Sequence, residues 1–297
     1  MKPILAALAL TLFSLPLAAQ TVIVDTAIGE VEVPARPARV VALDLAAIDT
    51  LSALDVTLAG VPAIRPPAYL APAFAQAETV GTLFEPDFEA LAVLGPDLIV
   101  AGGRSQLMVG ALGRLAPTLD MTIWGSDILG QSAARLHAYG AIFDRAAEAE
   151  SMARDLDAAL AATREAVAGK GAALILQTNG GTVSAYGAES RFGWLHTATG
   201  LAQAYPHITA ETHGEAVSFE FIAQVDPDWI LVIDRGAAIG QSGEAAAATL
   251  NNPLVMGTTA GRTGQIIYLD SAALYLAAGG VQATRRILTQ ITEAFRG

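Results

Sequence analysis

The sequence predicts an α/β protein: two lobes of mostly parallel sheets flanked by helices, joined by one long rigid interlobe helix. Three observations carry this. Short β-branched runs alternate with short helical patterns along most of the chain, the rhythm of parallel strands linked by crossover helices. The phrase FEALAVLGPDLIVAGGR (residues 88–104) returns as FEFIAQVDPDWILVIDR (residues 219–235). Phe88, Glu89, Pro96, Asp97 and Arg104 each stand 131 positions before Phe219, Glu220, Pro227, Asp228 and Arg235 (219 − 88 = 131). Between the copies, DRAAEAESMARDLDAALAATREAVAG (residues 144–169) has no Pro, and no Gly before its last residue. It reads as one helix nearly 40 Å long, at ~1.5 Å per residue.

The elements follow in order. MKPILAALALTLFSLPLAAQ (residues 1–20) places Lys2 before an apolar run from about Ile4 to Leu15, then Pro16 and small residues. That is the pattern of a secretory signal peptide, with an apolar run short for a membrane span. No cysteine stands at the cleavage site to carry a lipid. A periplasmic, unlipidated mature chain is therefore expected. TVIVDTAIGEVEV (residues 21–33) reads as a hairpin turning at Ala27–Gly29. A strand over Val40–Leu43 leads into a helix from Asp44 or Ala46. The alternation continues through Gly60–Val61, Val80–Gly81, Leu98–Ala101 and Thr122–Trp124. In the long helix Met152, Leu156, Ala159 and Leu160 fall at helical spacing, and Gly169 stops it. Beyond it come strands in AALILQTN, WILVI and GQIIYLD, and helices in FGWLHTATG, FEFIAQV and the stretch from about Gly279 to Phe295. The expected division is an N-terminal lobe over 21–143, the interlobe helix over 144–169 and a C-terminal lobe over 170–297.

Composition narrows the function. The 297 residues are 53% hydrophobic and 15% charged, enough for real cores. A net charge of −12 argues against nucleic acid or anionic lipid as partners. The absence of cysteine excludes disulfides, thiolate metal sites and thiol catalysis. There is no G-x-S-x-G, H-E-x-x-H or phosphate-binding P-loop with its lysine, so no catalytic set can be named.

Two lobes on one helix enclose a cleft, and ligands of open α/β sheets bind beyond the carboxyl ends of the strands. Arg104 and Arg235 follow equivalent strands, so both should face that cleft from opposite sides. Arg191 lies in TVSAYGAESRFGWL, after a strand and before a helix. Three guanidiniums in one gap repel each other unless an anion is expected there, and their donors suit oxyanions. His213 and Tyr275 could give an imidazole nitrogen and a phenolate oxygen to ferric iron. Each also has an ordinary reading, as a hydrogen-bonded loop histidine and a packed aromatic. A zinc site built from His196, His207 and His213 lacks the usual carboxylate, and His196 sits within an apparent helix. Glu89 and Glu220 occupy first turns of equivalent helices, where negative charge is favourable, or serve as one acidic knob per lobe. Trp194 reads as core rather than pocket lining.

The stretches GTLFEPDFEALAVLGPDLIVAGGR, SAYGAESRFGWLH, THGEAVSFEFIAQVDPDWILVIDRGAAIG, LNNPLVMGTTA and IIYLDSAALYLAAGG resemble the periplasmic binding proteins for iron–siderophore complexes. These are of the class III, helical-backbone type, and the resemblance is to the branch that takes ferric catecholates of the enterobactin or petrobactin kind. It covers nearly the whole mature chain. It implies that Arg104, Arg191 and Arg235 surround an anionic ferric siderophore, and that His213 and Tyr275 complete iron coordination where the siderophore leaves positions open. Glu89 and Glu220 would contact a membrane ABC permease. Leu274–Tyr275 departs from an aromatic pair common in the family. No intrinsic cofactor is expected, since iron arrives with the siderophore, and the chain is expected to act as a monomer and not as an enzyme. The alternatives are haem, cobalamin, or a hydroxamate or carboxylate siderophore on the same fold, and an exported hydrolase.

Overall fold

The structure is a computed structural model that describes residues 20–125, 127–209, 213–241 and 245–297. Apart from Gln20, the expected signal segment lies outside the described residues. Strands β1 (Thr21–Thr26) and β2 (Gly29–Pro34) form the antiparallel hairpin expected from their β-branched runs. Val24 and Val33 turn inward, and Arg135 on the Ile128–Ile142 helix donates to the Asp25 carbonyl at 2.9 Å.

The first lobe holds β3 (Val40–Ala42), β4 (Leu58–Val61), β5 (Glu78–Thr79), β6 (Leu98–Ala101) and β7 (Thr118–Asp120). They pair in the order β5-β4-β3-β6-β7, every pair parallel. Central β3 and β6 are buried along their whole length, which is why they read as unbroken apolar runs rather than alternating ones. The second lobe holds β8 (Ala172–Asn179), β9 (Thr182–Tyr186), β10 (Ala202–Gln203), β11 (Glu215–Ala216), β12 (Trp229–Asp234) and β13 (Ile266–Tyr268). Their order is β11-β9-β8-β12-β13, with β10 beside β8. Here β8 and β12, and β12 and β13, run parallel, while β9 opposes both of its neighbours. Both lobes are thus mostly parallel sheets flanked by helices.

The duplicated phrase is an architectural staple. In each lobe a Phe-Glu helix (Phe88–Leu94, Phe219–Val225) ends on a left-handed residue, Gly95 at φ 58° and Asp226 at φ 46°. The Pro-Asp that follows ties the next strand to its neighbour. Asp97 donates its N–H to Arg39 O at 3.0 Å, while its carboxylate accepts from the Arg39 and Ala38 amides at 2.8 and 3.0 Å. Asp228 repeats this, N–H to Ala172 O at 3.1 Å and carboxylate from the Ala172 amide at 2.8 Å. The same dipeptide solves the same problem twice: how to satisfy the amides where a neighbouring central strand begins.

The long helix runs Ala146–Val167, 22 residues and ~33 Å. The Val281–Arg296 helix lies along it, where the Thr163 hydroxyl meets Leu288 O at 3.2 Å and Thr292 Oγ1 at 2.9 Å. That last helix belongs to both lobes. Its first amides, Gln282 and Ala283, donate to the Asp49 carboxylate of the first lobe at 2.7 and 3.0 Å. At its far end Phe295 stacks on Trp229 of the second lobe with centroids 3.8 Å apart.

Two local expectations differ from what is observed. The strand expected near Thr122–Trp124 is Thr118–Asp120; the Thr122 amide and hydroxyl both turn back to the Asp120 carboxylate, which ends the strand. FGWLHTATG yields a helix over Trp194–Thr197 alone. The Thr197 and Thr199 hydroxyls bond back to Gly193 O and Leu195 O, the local competition that shortens helices. Trp194 is buried in the core. Among the described residues no helix is long and apolar enough to cross a membrane.

Candidate functional site

Strand order reverses between β3 and β6 in one lobe and between β8 and β12 in the other, so the carboxyl ends of β6 and β12 mark the two switch points where ligands of such sheets lie. Gly102 and Gly103 follow β6. A Cβ on Gly102 would stand 3.1 Å from the Met121 and Thr122 backbone, and Gly103 sits at φ +50° with its N–H on Thr122 Oγ1 at 3.0 Å. Only glycine permits that approach and that conformation, and the pair delivers Arg104 at the strand end. Asp234 ends β12 and caps the next turn by accepting from the Ala237 amide at 2.9 Å, which fixes Arg235. Arg191 rides on a turn held by the Ser190 hydroxyl, a donor to Gly187 O at 2.7 Å. Tyr275 lies on the Ser271–Leu276 helix, capped by Asp270.

These four side chains meet. Arg104 and Arg191 donate to the Tyr275 carbonyl at 3.4 and 3.1 Å, and Arg235 Nε donates to the Tyr275 hydroxyl at 3.1 Å. The Arg191, Arg104 and Arg235 guanidinium carbons lie 4.6, 5.5 and 5.9 Å from the centre of its ring. Arg191 also covers Phe192 at 4.8 Å. All four are half-buried. Among the described residues, no carboxylate lies within ion-pair distance of any of these arginines; the ion pairs there belong to other residues, such as Arg36–Asp144 and Arg286–Asp270. The cations are held by neutral oxygens and π-faces, which leaves their charge available.

The titration behaviour follows. Burial raises the Tyr275 phenol, but the Arg235 hydrogen bond and the charges of Arg235, Arg191 and Arg104 outweigh it and leave the group below its ordinary value. Burial lowers Arg191, and the charge of Arg104 adds to this. The Asp44 carboxylate lies against Gly102 and Gly103; burial raises it against the opposing pull of the Ala47 amide and Arg104. Tyr186 is pushed up to about 12 by burial.

The other expected residues lie apart. His213 is exposed just before β11, and only its backbone joins the neighbourhood, by accepting from the Tyr186 hydroxyl at 2.9 Å. Among the described residues its imidazole makes no hydrogen bond or ring contact with Tyr275. His196 is buried with Nδ1 on Leu201 O at 2.9 Å, and His207 stands edge-on to Tyr205. Glu89 and Glu220 are exposed, each in the first turn of its helix. The backbone amide of Glu220 and the Ser218 hydroxyl hold its carboxyl below the ordinary value. Sequence reasoning missed Asn179, whose Oδ1 accepts from Arg235 at 3.2 Å. Its place at the carboxyl end of β8, before Gly180–Gly181, was the available signal.

Residues 40–273 match the sequence profile of the family described as periplasmic binding protein. The chain is 34% identical to the petrobactin-binding protein YclQ of Bacillus subtilis over 269 residues, 88% of this chain and 84% of that protein. The crystal structure of YclQ superposes with a TM-score of 0.88, covering 94% of this chain and 99% of that one. The catecholate-siderophore binding protein VctP of Vibrio cholerae gives a TM-score of 0.85 at 28% identity, over 92% of this chain and all (100%) of the other. The iron uptake ABC transporter substrate-binding protein PiuA of Streptococcus pneumoniae gives 0.88 at 30% identity, over 93% and 100%. With its bilobal sheets, its long helix and a profile match over most of its length, this chain belongs to the periplasmic binding protein family.

Proposed function

We propose that the protein captures an anionic ferric siderophore, of catecholate type, in the cleft between its lobes and delivers it to an ABC importer. The observation that carries this is the convergence of Arg104, Arg191 and Arg235 on Tyr275 without a carboxylate partner among the described residues. A ferric catecholate is a multiply charged anion with flat aromatic faces. Guanidiniums can both offset its charge and stack on its rings. The relatives that bind petrobactin and catecholate siderophores point the same way.

In this reading the arginines surround the chelate and Tyr275 faces the metal. Its lowered phenol pKa suits an oxygen donor to ferric iron where the siderophore leaves a position open. His213 is the second such donor. Glu89 and Glu220, one per lobe, dock on the importer. The lobes over 21–143 and 170–297 act as two jaws on the 144–169 helix, the chain works as a monomer without catalysis, and residues 1–20 direct export without lipidation.

Titration of the purified protein with ferric catecholates, followed by tryptophan emission, tests the reading. Exposed Trp124 lies on the loop whose Thr122 hydroxyl holds the Gly103 amide beside Arg104, so a bound iron chelate should quench it. Saturable quenching by a ferric catecholate supports the proposal, and quenching by a neutral ligand alone overturns it. Tyr275→Phe combined with His213→Ala should shift the charge-transfer absorption of open-coordination chelates and leave that of saturated ones unchanged.

A further inference from the structure

A second cavity adjoins this cluster. It has a volume of about 530 Å³, within the ~300–1,000 Å³ of ordinary ligand pockets. Arg65, Pro66 and Pro67 of the first lobe form one wall, on the connection that leaves the carboxyl end of β4. Ala237 and Gly240, on the turn after Arg235, form the facing wall from the second lobe. Ala272 closes it, one helical turn before Tyr275. The chamber is therefore a lateral extension of the same interlobe gap.

Among the described residues Arg65 is the one charged side chain of the lining, and no carboxylate of those residues lies within ion-pair distance of it. The side chain is exposed, but its stem is not free of the fold. The stem crosses to the other lobe and rests on Gly240, where a Cβ would come within 3.1 Å of Arg65 Cδ. Gly240 stands at φ +68°, where glycine is favoured, and leaves the stem close contact with the turn. The remaining surface is proline and alanine with Gln241, so the chamber offers one cation at the end of an apolar, feebly hydrogen-bonding wall. That combination suits a short aliphatic arm ending in a carboxylate, which a guanidinium binds through two parallel hydrogen bonds.

Resting on the siderophore reading above, we propose that this chamber is a second subsite in which Arg65 grips a carboxylate carried by the siderophore outside its iron-chelating groups. The three clustered arginines respond to the charge of the chelate as a whole; Arg65 reads its backbone. Selection among chelates with the same iron-binding groups is then made here.

Two ferric chelates test this: bis-catecholoyl lysine and bis-catecholoyl cadaverine, which share catechols and spacing and differ by one pendant carboxylate. Affinities for the wild type and Arg65→Gln form a cycle that separates the local contact from the general preference for more negative charge. The wild type should prefer the lysine chelate about five- to tenfold, the range of a partly exposed charge-assisted pair. Arg65→Gln should remove most of that preference and change cadaverine-chelate binding less than about twofold. Because Arg65 is exposed, the variant should melt as the wild type does. A preference that survives in the variant, or equal loss for both chelates, overturns the subsite while leaving the siderophore reading intact. If neither chelate binds the wild type, both fall.

Discussion

Tyr275 is the residue on which the site's charge is balanced, and its protonation gives a direct test. Its folded-state pKa lies below the ordinary 10.0 because three guanidiniums outweigh its burial. Between that lowered value and about 10 the unfolded chain holds the proton that the folded chain has released, so this group adds stability as pH rises. The urea midpoint of the wild type, measured relative to Tyr275→Phe, should therefore climb as pH rises towards the ordinary phenol value; a flat difference would remove the electrostatic account. Replacing Arg104, Arg191 or Arg235 by Ala should weaken ferric catecholate binding by about tenfold or more each, with the loss shrinking at high salt. Calorimetric titration at two ionic strengths measures both. The arginines were legible because the repeated phrase put Arg104 and Arg235 at the same place in two lobes. Their meeting point was not, since hydrogen bonds from positions 104, 191 and 235 to Tyr275 depend on how four separate loops fold. His213 was chosen by type and by the resemblance; here its carbonyl accepts from the Tyr186 hydroxyl, and its exposed imidazole stands apart from the cluster.

At the level of elements, the repeated Phe-Glu helix and Pro-Asp strand were readable because each local choice agrees with the fold. An N-cap, a left-handed stop and an apolar run all point to the same boundaries. Strand edges were read less well: Thr122–Trp124 has strand-forming residues, but the Asp120 carboxylate captures Thr122 and the Gln131 side chain takes the Trp124 amide. The last helix carries what no local pattern could reveal, for Asp49 and Gln282 are 233 residues apart. Burial pushes the Asp49 carboxyl up to about 7, against the opposing pull of Tyr69, Gln282 and Ala283. Between about 4 and about 7 the folded chain then holds the proton that the unfolded chain has lost, so this group's contribution is full below pH 4 and fades as pH rises. Thermal melts should show Asp49→Asn losing less stability than the wild type across that interval. At the other end of the helix, Phe295→Ala removes a ring stacked on Trp229 and should cost about 3–5 kcal/mol by urea unfolding.

For the whole molecule, two rigid connections join the lobes: the Ala146–Val167 helix, and beside it the Val281–Arg296 helix, whose start is anchored on Asp49. Such a frame allows small sliding and closure rather than a wide hinge. Small-angle scattering with and without a bound chelate should show only a slight contraction, and a large drop in radius of gyration would contradict the rigid frame. The two-lobe plan was legible because the long apolar-faced helix interrupts the strand rhythm; the second strut beside it was not, because its amphipathic stripe fits any partner. The anchorage also has a temporal side. A ribosome makes Asp49 and Tyr69 early, but the amide partners at 282 and 283 come nearly last, and until then the carboxyl has the Tyr69 hydroxyl without the two amides that share in offsetting its desolvation. Stalled nascent chains ending before residue 281 should therefore be more protease-sensitive over the first lobe than the full chain.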